Sequence, residues 1–191
     1  MNSFTRILSE GSLSSDGFAN EVVRIVVEQP ALLPDLIDAL FSLNPSVRGH
    51  AADALEKVAR TCPGEVVAFL PRIIRSAMND NLAMVRWHLA MVLGHLSIVV
   101  QDKSECQQTL LTMLKDDSPF VRSWAITSLC IIAKSSPSQV KAIAKSIARL
   151  LSDSSVAVSK RAQTALLVLS DANAPLPKTW IKSTYVHRTK S

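Results

Sequence analysis

Residues 117–129 read Asp-Ser-Pro-Phe-Val-Arg-Ser-Trp-Ala-Ile-Thr-Ser-Leu. A polar turn closed by Pro119 runs into Val121-Arg122, a small residue follows four positions after the valine at Ala125, and a leucine eight after it at Leu129. The same order recurs at Val47-Arg48 with Ala51 and Leu55, and at Val85-Arg86 with Leu89 and Leu93. A fourth copy, Val158-Ser159 with Ala162 and Leu166, lacks the arginine. The valines are 38, 36 and 37 residues apart. Positions four and eight apart share one face of a helix, and a repeat of this length is the period of stacked helical hairpins, which bury their apolar faces only against their neighbours.

Each unit is expected to hold two helices. The first helices are placed at 32–43, 66–78, 106–114 and 140–151. In the second of these Val66, Phe69, Leu70, Ile73 and Ile74 keep the three-and-four spacing of one buried face. The turns Asn44-Pro45-Ser46, Asn79-Asp80-Asn81, Asp116-Asp117-Ser118-Pro119 and Asp153-Ser154-Ser155 carry residues that cap a following helix. The second helices follow from each repeated valine. Ahead of the first full unit, residues 16–29 read as one more amphipathic helix and residues 4–9 as a short one, together a cover for an exposed apolar end.

The combination of turn aspartate, Val-Arg, small residue and leucine resembles HEAT repeats. The resemblance implies an all-α, right-handed α-solenoid of about four hairpins, armadillo-like in outline. Its organisation is N-terminal capping helices at 1–30, repeats at 31–63, 64–101, 102–137 and 138–171, and a basic aromatic C-terminal tail at 172–191. It also implies a structural ladder in which Asp80, Asp117 and Asp153 pair with Arg48, Arg86 and Arg122.

Composition agrees with helix packing: 48% of residues are hydrophobic, 5% are aromatic, and there are five glycines. Cys62, Cys106 and Cys130 lie too far apart for a zinc pair motif and are too few for a disulfide framework, so a reducing, cytoplasmic setting is expected. No secretory signal pattern opens the chain, and the longest apolar run, 89–100, is interrupted by Gly94 and His95 and is too short to span a bilayer. The net charge of +5 is unevenly spread: residues 1–63 are net −3, 64–137 net +1 and 138–191 net +7. Such a gradient steers an anionic partner toward one end.

The sequence carries no Gly-rich phosphate loop, no Gly-x-Ser-x-Gly elbow and no His-Glu-x-x-His helix, so no enzyme activity, cofactor or metal is expected. His50 and His88 occupy equivalent positions and could approach each other, but two histidines do not complete a coordination sphere. On the second helices, the side opposite the valine holds Trp87, Ala90, Met91, Gly94 and Ile98 in the second unit, and Ser123, Ile126, Thr127, Cys130 and Lys134 in the third. The first unit presents Asp53, Glu56 and Arg60 there, and the fourth Lys160, Gln163, Thr164 and Leu167. An apolar middle between an acidic and a basic end suits a peptide or helix.

The function expected is therefore a non-enzymatic protein-interaction scaffold, monomeric or homodimeric, with Trp87, Met91, Ile98, Trp124 and Ile126 as groove anchors. Tight curvature could instead bury these side chains, or the tail could fold back over them. The alternative partner is a nucleic acid, met by Lys141, Lys145, Arg149, Lys160 and Arg161 and by the tail, where Trp180 and Tyr185 alternate with Lys178, Lys182, Arg188 and Lys190. A third arrangement resembles HEAT-like DNA glycosylases, which set tryptophans, basic residues and an assisting carboxylate on a concave surface. Here no acid stands beside Trp87 and Trp124 on the apolar faces.

Overall fold

Each polar turn commits the chain to a helix by the same device. The carboxamide of Asn44 accepts the Ser46 N–H at 2.9 Å, and the carboxylates of Asp80, Asp116 and Asp153 accept the N–H two residues on, at Leu82, Ser118 and Ser155, each at 2.8 Å. Pro45 and Pro119 then occupy the first helical turn, where a missing N–H does no harm. The computed structural model describes residues 3–10 and 18–180.

Among those residues the elements run α1 (Ser3–Ile7), α2 (Ala19–Glu28), α3 (Leu33–Ala39), α4 (Pro45–Thr61), α5 (Pro63–Val66), α6 (Leu70–Asn79), α7 (Ala83–Leu96), α8 (Ser104–Met113), α9 (Pro119–Ser135), α10 (Val140–Ala148) and α11 (Val156–Ser170). No strand occurs among the described residues. The second helices α4, α7, α9 and α11 pack side by side, and α2 extends this row at the N-terminal end. The first helices α3, α6, α8 and α10 form an outer layer, each against its own second helix, with α1 on α3. The result is an all-α solenoid of stacked hairpins.

The stripe read from the sequence is the core. Val47, Val85, Val121 and Val158, the four residues four positions later, and Leu55, Leu93 and Leu129 are all fully buried. Leu166 is only half-buried, because the described chain places no further hairpin beyond the last one. Small residues set the spacing between second helices. A Cβ built on Gly94 would lie 2.5 Å from Ser128 Oγ and 3.2 Å from its Cα, and Ser128 donates to the Ala90 carbonyl at 2.7 Å. Glycine in a helix interior is otherwise unfavourable by about 1 kcal/mol, so close approach of α7 and α9 is what Gly94 permits.

A ladder of arginines ties successive turns together. Arg48 Nε donates to Asp80 at 2.7 Å; Arg86 grips Asp116 with two bonds of 2.7 and 2.9 Å; and Arg122 grips Asp153 with two of 2.8 Å. The expected partner of Arg86 was Asp117, and this is corrected to Asp116. Asp117 is exposed and contributes only its carbonyl, to Arg122. The register has a simple rule. Each aspartate stands five residues before the valine of its unit, which selects Asp80, Asp116 and Asp153. Each arginine also donates to a carbonyl six residues back, at Ser42, Asp80 and Asp116. In the fourth unit a serine stands at the arginine position. Ser159 instead donates to the Leu151 carbonyl at 2.6 Å.

Truncating Leu93 or Leu129 to alanine is expected to cost about 2–5 kcal/mol, read from urea unfolding midpoints. On the ladder, Asp116→Ala should cost about 1–3 kcal/mol, because it strips a part-buried guanidinium of two charge-assisted bonds. Asp117→Ala should stay within about 0.5 kcal/mol of wild type. Equal losses from the two substitutions would reject the corrected register.

Candidate partner-binding groove

The free side of the second-helix row is not the strip expected from the sequence. Ile126, Ala90 and Cys130 are fully buried and Gly94 is enclosed, so this side of α7 and α9 meets a neighbouring helix rather than solvent. Ile126 is therefore corrected from groove anchor to core residue. Met91 is 8% exposed, and Trp87, Ile98 and Trp124 are half-buried. The strip that does face outward lies about one residue further round, at three, six and ten positions after each valine. It presents His88, Met91 and His95 on α7, Trp124, Thr127 and Ile131 on α9, and Arg161 and Thr164 on α11. Helices flanked by like helices on both sides keep only a narrow outward stripe, so a turn of about 100° exchanges groove residues for core.

At its N-terminal end the strip is polar and internally paired. Lys57 Nζ donates to Asp53 at 2.7 Å and to Asn20 at 2.8 Å, and His88 Nε2 lies 3.5 Å from Asp53. Glu56 has no exposed surface; its carboxylate is held by Arg60 on the same helix and by His95 Nε2 from α7 at 3.1 Å. Burial is the largest influence on Glu56 and pushes its carboxyl up, yet the bonds and charges of His95 and Arg60 together outweigh it and hold it below the usual carboxylate range. The acidic end anticipated from Asp53, Glu56 and Arg60 is thus neutralised by its own partners.

The C-terminal half is apolar and occupied. After α11, Lys134 Nζ donates to the carbonyls of Asp171 and Ala172 at 2.7 and 3.2 Å, turning the chain back toward the groove. The segment continues through Pro175 and Pro177 to a short 3-10 turn at Lys178–Trp180. Trp180 is 8% exposed and closes over Met91, His95, Trp124, Thr127, Ser128 and Ile131, leaving a void of about 10 Å³. Arg161 is layered between two indoles, 5.1 Å from the Trp124 ring centre and 5.2 Å from that of Trp180, and donates to Thr127 Oγ1 at 2.7 Å. Burial lowers the Arg161 guanidinium below its ordinary value. Indole faces compensate such a desolvated cation in part. The sequence offered, as one alternative, a basic aromatic tail containing Trp180 that folds back over the groove; the structure seats Trp180 there, after α11 has ended at Ser170 ahead of Pro175 and Pro177. Tail residues 182–190 lie outside the described residues.

The remaining candidates scatter. Trp87 stands beside Phe120, ring centres 5.0 Å apart, and Phe120 is 61% exposed. Lys141 and Lys145 are exposed on outer helix α10, Arg149 is exposed at the start of the 3-10 turn that follows it, and Lys160 is exposed on α11. Arg161 is corrected out of this basic patch, since it points into the groove. His50 Nδ1 bonds the Leu8 carbonyl at 2.9 Å, and His88 Nδ1 bonds the Met84 carbonyl at 2.9 Å. Among the described residues no group of three His, Cys, Asp or Glu side chains could hold a metal ion, and no helix is long and apolar enough to cross a membrane. Cys62, Cys106 and Cys130 are free, and burial pushes the Cys106 thiol up to about 11.

Comparison with known proteins agrees with this architecture. The family model described as non-SMC mitotic condensation complex subunit 1 matches residues 61–175, more than half of the chain. No curated protein matches. Among solved structures, an engineered protein is 19% identical with a TM-score of 0.65, over 87% of this chain and 79% of that one. A designed armadillo repeat protein in complex with the peptide (KR)4 is 16% identical with a TM-score of 0.63, over 88% and 80%. A computationally designed armadillo repeat protein for modular peptide recognition is 17% identical with a TM-score of 0.58, over 88% and 73%. At these identities the likeness concerns the fold: a HEAT/armadillo-like helical-repeat scaffold.

A pH prediction follows from Glu56. Its folded carboxyl is depressed relative to the unfolded chain, so its contribution is complete above the ordinary carboxylate range and disappears as pH falls through the lower folded value. Urea midpoints at pH 7, 5 and 3 should fall less steeply on the acid side for Glu56→Gln than for wild type. Parallel curves would mean that the buried carboxylate is not what the acid limb reports.

Proposed function

Since the chain belongs to the non-SMC mitotic condensation complex subunit 1 family, we propose that it works as a non-enzymatic scaffold that holds an extended segment of a protein partner along its second-helix groove. The partner is then a component of a multi-subunit assembly, as the family description suggests. The chain acts inside the cell, in the cytoplasmic setting that its three free cysteines favour, and as a monomer while its own tail fills the groove. The observation that carries this reading is Trp180: a proline-bounded, non-helical segment already lies over Met91, Trp124 and Ile131 with one aromatic side chain driven in. Extended segments bind grooves in this way, through one or two anchored side chains.

A second reading rests on Lys141, Lys145, Arg149 and Lys160, which are exposed and make no ion pair among the described residues. A nucleic acid would find its phosphates matched there. One experiment separates the two. A photo-crosslinking phenylalanine analogue replaces Phe120, exposed beside Trp87 on the groove side, or Lys145 on the outer layer. Protein adducts from position 120 and few from position 145 are the expected result. Adducts confined to position 145, or salt-sensitive nucleic-acid adducts alone, would overturn the groove reading in favour of the basic patch.

A further inference from the structure

The seat of Trp180 has three features that ordinary core packing does not need. From Ala174 to Trp180 no hydrogen bond or ion pair joins the segment to the helical body among the described residues; its two backbone bonds are local, Ala174 N–H to the Asp171 carbonyl and Trp180 N–H to the Pro177 carbonyl. Leu176 and the Trp180 ring are its contributions to the hydrophobic core. Beneath the ring, His95 is 4% exposed and its Nδ1 has no hydrogen-bond partner, although its Nε2 is engaged by Glu56. His95 is also among the residues that line the small void under Trp180. Finally, Arg161 is layered between Trp124, which belongs to the body, and Trp180, which arrives from outside it.

We propose that Met91, His95, Trp124, Ile131 and Arg161 form a socket for a single tryptophan carried on an extended partner segment, and that Trp180 is the intramolecular occupant which holds the socket closed. This rests on the groove reading above and names its ligand. An indole meets the requirements of the site: a flat π face for the guanidinium and an apolar edge for Met91 and Ile131. An aliphatic side chain supplies only the second of these. Trp180 holds its place through its local concentration, on the order of millimolar for a short tether, rather than through polar bonds. A partner that presents a tryptophan with further contacts along the groove displaces it without breaking any hydrogen bond between segment and body.

The test uses the full chain and a fluorescein-labelled peptide of residues 174–191 as probe, with binding read by anisotropy. Trp180→Ala opens the socket and should bind the peptide at least about 10-fold more tightly than wild type, whose socket is filled in cis. A peptide with alanine in place of tryptophan should lose that binding, as should the Trp180→Ala chain carrying Arg161→Gln. If Trp180→Ala fails to fold, a four-residue Gly-Ser insertion after Asn173 keeps the tryptophan, dilutes it locally, and should likewise strengthen binding of the peptide. Equal binding of both peptides, or no binding to either opened chain while it remains folded, overturns the socket. That outcome leaves the groove reading to the crosslinks at position 120, which do not involve Trp180.

Discussion

Side-by-side packing of α4, α7, α9 and α11 is the constraint on which the rest of the molecule depends. A helix in such a row is buried on the side of its own first helix and on both flanks, and only one stripe stays accessible. Apolar burial supplies the driving force, while small residues at the flanks decide how near the backbones come. Gly94 against Ser128 marks the tightest point, and the Ser128 bond to the Ala90 carbonyl fixes the register of α7 on α9. The arginine ladder follows from that register. A fixed offset between neighbouring turns brings each guanidinium within reach of the next aspartate, and the same aspartate orders the turn that starts the next helix.

The accessible stripe divides into two halves of different chemistry. Toward the N-terminus it is a network of paired polar and charged groups, Lys57 with Asp53 and Asn20, and Glu56 with both Arg60 and His95. Groups already paired have little to offer a ligand unless they give up partners they hold. Toward the C-terminus the stripe is apolar and aromatic, and there the chain covers it with its own Trp180. His95 joins the halves: its Nε2 belongs to the charged network and the residue also lines the void beneath the indole. The family match and the designed armadillo repeat structures share the helical-repeat scaffold on which this stripe lies.

Much of the fold was legible because the repeat makes each unit a control for the others. In the first three units the valine, the residue four after it and the leucine were buried as a set, and the paired helices occur in the expected order, although the first helix expected at 66–78 is broken into α5, a 3-10 turn and α6. The ladder was legible in type but not fully in register. Asp116 and Asp117 are adjacent and chemically alike, and only the rule of five residues before the valine separates them. The groove was less legible. Helical periodicity shows that one side of α7 differs from another, but not which of them meets a flanking helix, so Ile126 was assigned to the surface and Arg161 to a solvated patch.

By itself, then, the sequence determined the local and periodic features: helix starts at Asn44, Asp80, Asp116 and Asp153, the buried stripe, the hairpin repeat and the absence of helix across Pro175 and Pro177. These depend on interactions within a few residues or on a pattern repeated every unit. Tertiary structure alone decided which stripe faces outward, where Arg161 points and what Trp180 covers. Those outcomes depend on the rotation of one helix against its neighbours and on the path of a returning segment. Both are set by contacts between residues more than thirty positions apart or across the last turn, which no periodicity encodes.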